Sequence, residues 1–407
     1  HDNLCYLTIN CDTGQHSQFL RCFPKALQCR LDCDAGYVSD LPPIISCVNG
    51  NYEPNRPGEF KCQKAVALIV SKTGEMEVFG EDSKCNRLMT NIPQLSLGGH
   101  SVSLLDNYLV IAASSVTNDG WWYHSLKDAR SGLLANPWKH TKTLGNDAPV
   151  RHVSFVYGKD LVLLGGVKGT QVALQNGREE NGEWNALRLT LEKDGTNFDL
   201  FTQDACVVKV RKDTFYVLGG RESSNGQMTS KVYSVNMKRQ KVQEVGSLTN
   251  PRTQHACAII PDPSSDENNN NRLILVTGGT VDASTANDEI FDTTERSSRM
   301  LDQSMNVARH NHRMVTLGQR VFALGGQRQP NDDSTLDVIE VFDPNSESWS
   351  VHTSSLISKS TDDLAVTELP ISAVSCNQGC QCGVRSGARI VGGEEAEVTS
   401  CSFYNWA

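Results

Sequence analysis

The sequence predicts an all-β chain in which a small disulfide-stapled domain precedes a ring of six repeated four-stranded sheets. Three observations carry this. An apolar run closing on a glycine pair recurs along most of the chain, about 50 residues apart. The runs between these landmarks are short, β-rich and split by Gly, Asn, Asp and Ser, without helical periodicity. The 14 cysteines, finally, crowd the two ends and nearly avoid the middle.

Composition bounds the problem first. At 407 residues the chain exceeds what one core usually serves, so two or more domains are expected. Mean hydropathy is −0.37, and no apolar run approaches the ~18 residues that a membrane helix needs. Lys and Arg total 38 against 47 Asp and Glu, a net charge of −9 without basic blocks. That argues against nucleic acid or anionic membrane as the main partner.

Seven cysteines lie in the first 62 residues: Cys5, Cys11, Cys22, Cys29, Cys33, Cys47 and Cys62. Cys85 follows, and Cys376, Cys380, Cys382 and Cys401 cluster near the other end. A short segment this dense in cysteine cannot bury enough apolar surface alone and is stapled by oxidation. Zinc is the competing reading, but the only close pair is Cys380 and Cys382, and metal sites usually carry matched CxxC pairs. His1, with no initiator Met and no apolar leader, fits a chain whose signal peptide has been removed, so the expected location is secreted and extracellular.

The head, residues 1–63, ends in Cys33-Asp-Ala-Gly-Tyr37, then Cys47-Val-Asn-Gly-Asn-Tyr52, then Cys62. Gly36 and Gly50 supply turn geometry, and Tyr37 and Tyr52 supply the few large apolar groups. This pattern resembles a sushi (complement-control) module, with Tyr52 where that family usually has Trp and with Cys22 and Cys29 as additions. The resemblance implies bridges from Cys33 to Cys62, and from Cys47 to Cys5 or Cys11. A generic disulfide knot is the alternative.

The repeats occupy residues 64–371. They read Leu161-Val-Leu-Leu-Gly165-Gly166, Phe215-Tyr-Val-Leu-Gly219-Gly220, Leu273-Ile-Leu-Val-Thr-Gly278-Gly279 and Val321-Phe-Ala-Leu-Gly325-Gly326. A degenerate copy, Leu109-Val-Ile-Ala112-Ala113, precedes them. From Ala113 through Gly166, Gly220 and Gly279 to Gly326 the spacings are 53, 54, 59 and 47 residues. Ahead of each pair runs a strand introduced by Arg or His, at His100, Arg151-His152, Arg252 to His255 and Arg309 to His312. After it comes an outer strand closing on an aromatic, most plainly Val338 to Trp349. This is the pattern of kelch repeats, which the stretch resembles; the resemblance implies a β-propeller with one four-stranded blade per repeat, and counting the blades along this sequence gives six.

Each glycine pair is expected where neighbouring blades crowd together and a Cβ would clash. The blades would span 66–94, 98–145, 150–199, 203–249, 252–304 and 309–357. The first lacks an innermost strand, and residues 363–369 would supply it, closing the ring so that no sheet edge stays open. Pro261 to Arg272 is a polar loop in the fifth blade.

A linker and activation segment, 372–389, leads to the last stretch, 390–407. It reads Cys380-Gln-Cys382-Gly-Val-Arg385-Ser-Gly-Ala-Arg389-Ile390-Val-Gly-Gly393. This resembles the activation site of trypsin-like serine proteases. The resemblance implies cleavage between Arg389 and Ile390, with Cys382, or else Cys380, as the tether across the cut. Only 18 residues run from Ile390 to Ala407, too few for the two barrels and Ser-His-Asp triad of that family, so 390–407 reads as the truncated start of such a domain and no catalytic residue is expected. A chance Ile-Val-Gly-Gly is the alternative.

Other constellations have bland readings. His100, His152, His255 and His312 hold equivalent positions in successive repeats, which fits a repeated structural role better than a copper centre. Cys206 and Cys257 share one strand position and read as small core residues, a bridge between blades being the alternative. Asp194 to Asp199 lacks the spacing of a calcium loop and reads as a turn. Trp121, Trp122 and Tyr123 are the densest aromatic run, either outer-strand packing or, if exposed, a binding patch.

Together these readings give a secreted, non-catalytic recognition or regulatory protein that resembles the regulatory part of an extracellular serine protease or protease homologue, in host defence or a proteolytic cascade. Its expected partners are extracellular proteins or glycans and a trypsin-like activating protease, with no cofactor and no metal. The alternatives are a zymogen whose catalytic domain lies beyond residue 407, and a propeller-type copper oxidase.

Overall fold

The computed structural model describes residues 61–81, 87–88 and 98–370, the last apart from 106–107, 113–120, 126–138, 142–150, 167–169, 176–182, 199–201, 212, 223–224, 262–271, 282–283, 286, 329–333 and 357–360. It also describes short segments at 10–11, 28–30, 35–39, 44–48, 51–53, 383–384 and 399–400. Among the described residues every regular element is a strand, and no helix is long and apolar enough to cross a membrane.

The repeat region is a β-propeller-like array of antiparallel meanders. The expected six four-stranded blades are corrected to four. These are Ser101–Leu105 to Lys139–Thr141, Val153–Tyr157 to Glu183–Ala186, Ala256–Ile259 to Ser297–Met300, and Arg313–Leu317 to Ser348–Ser355. The other two sheets carry six strands each, because neighbouring segments add to their edges. In one, Leu189–Leu191 lies parallel to Lys241–Ser247 and brings Asn197–Phe198 with it. In the other, Lys61–Val70 overruns its meander, so that Asn10–Cys11 and Tyr37–Ser39 pair with its first half.

Ala365–Pro370 runs antiparallel to the second half of the same long strand, Ala365 opposite Val70 and Pro370 opposite Ala65. The innermost strands then touch in cyclic order: Ser101–Leu105, Val153–Tyr157, Cys206–Arg211, Ala256–Ile259, Arg313–Leu317, Ala365–Pro370, and back to the first.

The core lies between sheets, which explains why the repeats read as continuous apolar runs. Leu161 and Leu163 pack toward Val110 and Ala112 of the preceding sheet, while Val162 and Leu164 pack toward Phe215 and Val217 of the next. Phe215 and Val217 share that seam, whereas Tyr216 and Leu218 face Ile274 and Val276. A strand buried on both faces shows no polar alternation. The same seam joins the first sheet to the last, through Ala67, Ile69 and Phe79 against Phe322, Leu324 and Ile339.

In the head, Gln28–Arg30, Ile44–Val48 and Asn51–Glu53 form a three-stranded sheet. The head meets the propeller at Gly36, whose carbonyl accepts the amides of Ala65 at 2.9 Å and Gly318 at 3.2 Å. A Cβ on Gly36 would lie 2.4 Å from the Gly318 carbonyl oxygen, so the contact requires glycine. Backbone register sets Cys11 beside Cys62, and Cys47 opposite Tyr52. Cys33 lies outside the described residues, as do Cys382, Arg389 and Ile390.

Candidate functional site

The site is built by the residue two places before each inner strand. Gly99, Arg151, Asp204, Gln254, Asn311 and Asp363 all have left-handed backbone, with φ between 51° and 74°. Left-handed residues other than glycine are uncommon, and five at one register mark a demand of the architecture. Hydrogen bonds show what it is. Asn311 N–H donates to Gln254 O at 2.9 Å, Gln254 to Asp204 at 3.1 Å, Asp204 to Arg151 at 3.2 Å and Arg151 to Gly99 at 3.4 Å. Gly99 N–H in turn donates to the Asp363 carboxylate at 2.8 Å. This belt ties the starts of the inner strands together and points their side chains at the axis.

Those side chains line a polar cavity of ≈ 220 Å³ at the mouth of the ring. Arg151 Nη1 stands 3.4 Å from Asp204, and Arg313 Nη2 stands 4.0 Å from Asp363. Burial pushes the Asp204 carboxyl up, Arg151 and Arg313 draw it back down, and Asp363 adds to the rise. Cys206 and Cys257 form a disulfide between adjacent inner strands in the cavity wall, so the alternative reading of this pair holds. The arrangement offers donors and carboxylates to a polar ligand.

Behind the belt, the histidines bond between sheets. His100 Nε2 meets Val70 O at 3.2 Å, His255 Nε2 meets Leu218 O at 3.1 Å, and His312 Nε2 meets Thr277 Oγ1 at 2.8 Å. His152 Nε2 meets Ser101 Oγ at 2.9 Å. Burial pushes His100 down to about 4 and His255 down to about 3, so both are neutral at physiological pH. The glycine pairs make room for these rings. A Cβ on Gly278 would sit 2.8 Å from His312 Cε1, and one on Gly279 would sit 2.8 Å from His255 Cβ. Among the described residues no three His, Cys, Asp or Glu side chains converge as a metal site.

Two fully buried arginines hold the last two meanders in shape. Arg309 donates to Glu340 at 2.5 Å, to Gly325 O at 3.1 Å and to Val338 O at 3.0 Å. Arg252 repeats the arrangement with Glu289, Gly278 O and Asn287 O. The first carbonyl of each of these glycine pairs is thus read by the arginine that enters the same meander two residues before the belt residue.

Trp121, Trp122 and Tyr123 lie in the strand Trp121–Ser125, paired on both sides with Tyr108–Ala112 and Lys139–Thr141. Asp194 caps a turn, its Oδ1 accepting the Thr196 amide at 3.0 Å. The mouth itself is absent from the sequence-based candidates. Its signal was the residue type one place before each histidine: Gly99, Asn311 and, by register, Asp204 and Asp363 are types that tolerate left-handed backbone.

Comparison with known families places a Kelch motif over residues 308–351, the meander that carries Arg309 and Glu340. No curated protein matches the chain. The chain therefore carries a Kelch motif within a β-propeller-like array of sheets.

Proposed function

We propose that this chain is a non-catalytic recognition protein of the extracellular space that binds a protein partner at the mouth of its ring. One observation carries the reading: a hydrogen-bonded belt presents Arg151, Asp204, Gln254, Asn311 and Asp363, with Arg313 beside them, around a polar cavity. Propeller rings of kelch type serve as protein-binding platforms, and preorganised side chains lower the ordering cost of binding. The Cys206–Cys257 bridge and the cysteine-dense ends support an oxidising compartment.

Partner capture from the fluid that contains the protein tests this, comparing wild type with Arg151→Gln/Arg313→Gln. A partner retained by wild type and lost by the variant is expected. A partner held equally by both overturns the mouth as the binding face.

The finer reading is that the head is a sushi-like module, which would add a second binding surface for protein or glycan. Trp121, Trp122 and Tyr123 are further candidate contacts. The tail motif supports a regulatory relation to trypsin-like proteases, with cleavage after Arg389 and Cys382 as tether. Limited trypsin digestion followed by N-terminal sequencing should yield Ile-Val-Gly-Gly, and repeated failure to find it rejects that relation.

A further inference from the structure

The mouth's charges follow a pattern that specifies what enters it. In the cyclic order of inner strands, the strand led by Arg151 lies three places from the one that Arg313 opens, so the two arginines face each other across the axis. Asp204 and Asp363 are likewise three places apart and face each other. At the belt register the order is Arg151, Asp204, Gln254, Asn311, Asp363 and Gly99, and Arg313, two residues beyond Asn311, adds the second positive charge beside Asp363.

Neither arginine is held closely by a carboxylate, although Arg313 Nη1 donates to His312 O at 3.3 Å. Their carboxylate distances of 3.4 and 4.0 Å are longer than a charge-assisted hydrogen bond, and their side chains are 44% and 37% exposed. Each guanidinium keeps donors for a further acceptor. A simple anion would meet two arginines and also two aspartates, and a simple cation would meet the reverse. A ligand laid along the axis and carrying both charges on a short frame would meet the two arginines with its anionic end and the two aspartates with its cationic end. The cavity of ≈ 220 Å³ has room for one residue-sized group, since a water takes roughly 30 Å³.

Resting on the reading of the mouth as the binding face, we propose that it binds a zwitterionic group of amino-acid size. Arg151 and Arg313 hold the carboxylate, and Asp204 and Asp363 hold the ammonium or guanidinium. Gln254 and Asn311 hydrogen-bond the uncharged part. The same chemistry has two sources, a free amino acid or an acidic and a basic side chain on adjacent residues of a protein turn.

Calorimetric titration of the full chain tests this with four probes: L-arginine, its decarboxylated analogue agmatine, acetate, and the blocked dipeptide Ac-Arg-Glu-NH2. Saturable binding of L-arginine or the dipeptide is expected, at least tenfold tighter than agmatine or acetate. Which of the two binds tells the free amino acid from the protein turn. Arg313→Gln and Asp204→Asn should each weaken that binding tenfold or more, with the far-UV circular dichroism unchanged. Independently of any variant, the bound zwitterion should protect Arg151 and Arg313 from phenylglyoxal.

Agmatine or acetate binding as tightly as the zwitterions overturns the proposal, and so does zwitterion binding that leaves both arginines unprotected. If no probe binds while a partner protein is still lost in Arg151→Gln/Arg313→Gln, the zwitterion proposal falls and the mouth as binding face stands.

Discussion

The carboxylate of Asp363 accepts the backbone N–H of Gly99 at 2.8 Å across a sequence separation of 264 residues. Along the chain of belt bonds from Asn311 back to Gly99 the acceptor is a backbone carbonyl, and at this junction it is a side chain. The last inner strand thereby clasps the first through one replaceable group. Asp363→Ala removes the acceptor and places alanine at a φ of 74°, so a loss of about 2–3 kcal/mol is expected. Asp363→Asn keeps an acceptor oxygen and tolerates left-handed backbone, so most of that stability should return. Urea unfolding of the three proteins checks this, and equal losses in both variants would remove the clasp from the account.

Glycine identity should matter by place rather than by conformation alone. Gly278 and Gly158 have similar φ, 57° and 65°, but a Cβ on Gly278 would lie 2.3 Å from Arg309 O and one on Gly158 would meet nothing within 4 Å. Gly158→Ala should therefore cost only the left-handed strain, about 1 kcal/mol, and Gly278→Ala about 3 kcal/mol or more. Thermal unfolding that ranks the two alike would show that the crowding relaxes freely.

What the sequence made legible was the repeat, because continuous runs such as Leu161 to Leu164 serve two seams at once and end on glycines in left-handed backbone. The histidines' shared register was legible too, and His100, His152, His255 and His312 each bond to the preceding sheet, two at a backbone carbonyl and two at a hydroxyl. The four-stranded form was overextended. The parallel addition of Leu189–Leu191 to Lys241–Ser247 joins segments about 50 residues apart, and no local periodicity announces it. The mouth was missed for a similar reason. Arg151, Asp204, Gln254, Asn311 and Asp363 differ in type, and what unites them is a backbone conformation and a bond to the neighbouring repeat.

The buried ion pairs should resist dismantling one half at a time. Arg309 and Glu340 are both fully buried, and Glu340 also accepts the amides of Asn306 at 2.6 Å and Val307 at 3.2 Å. Arg309→Met leaves that carboxylate without its cation and should cost about 3–5 kcal/mol. Arg309→Met/Glu340→Gln removes the charge while keeping an acceptor for the two amides, so the double variant should be less damaged than the sum of its single changes. A double-mutant cycle measured in urea checks this, and strict additivity would mean that the two side chains do not act as a pair.

Two buried groups should give opposite pH signatures. Burial pushes His255 down to about 3 from an ordinary value of 6.5, so as pH falls below 6.5 the unfolded chain takes up a proton that the folded chain refuses. His255 therefore removes stability on acidification, by at most about 1.4 kcal/mol per pH unit. Burial pushes Asp288 up to about 7 from 3.8, against the amides of Met305 and Gly278 that favour its ionised form. Here the folded chain keeps a proton that the unfolded chain has lost, so stability present near pH 4 is lost as pH rises toward 7. His255→Gln should then fare better relative to wild type at pH 5 than at pH 7.5, and Asp288→Asn better at pH 7.5 than at pH 5. Urea unfolding at both pH values reads each difference directly. Slopes of the same sign in the two variants would mean that burial does not set the protonation of one of these groups.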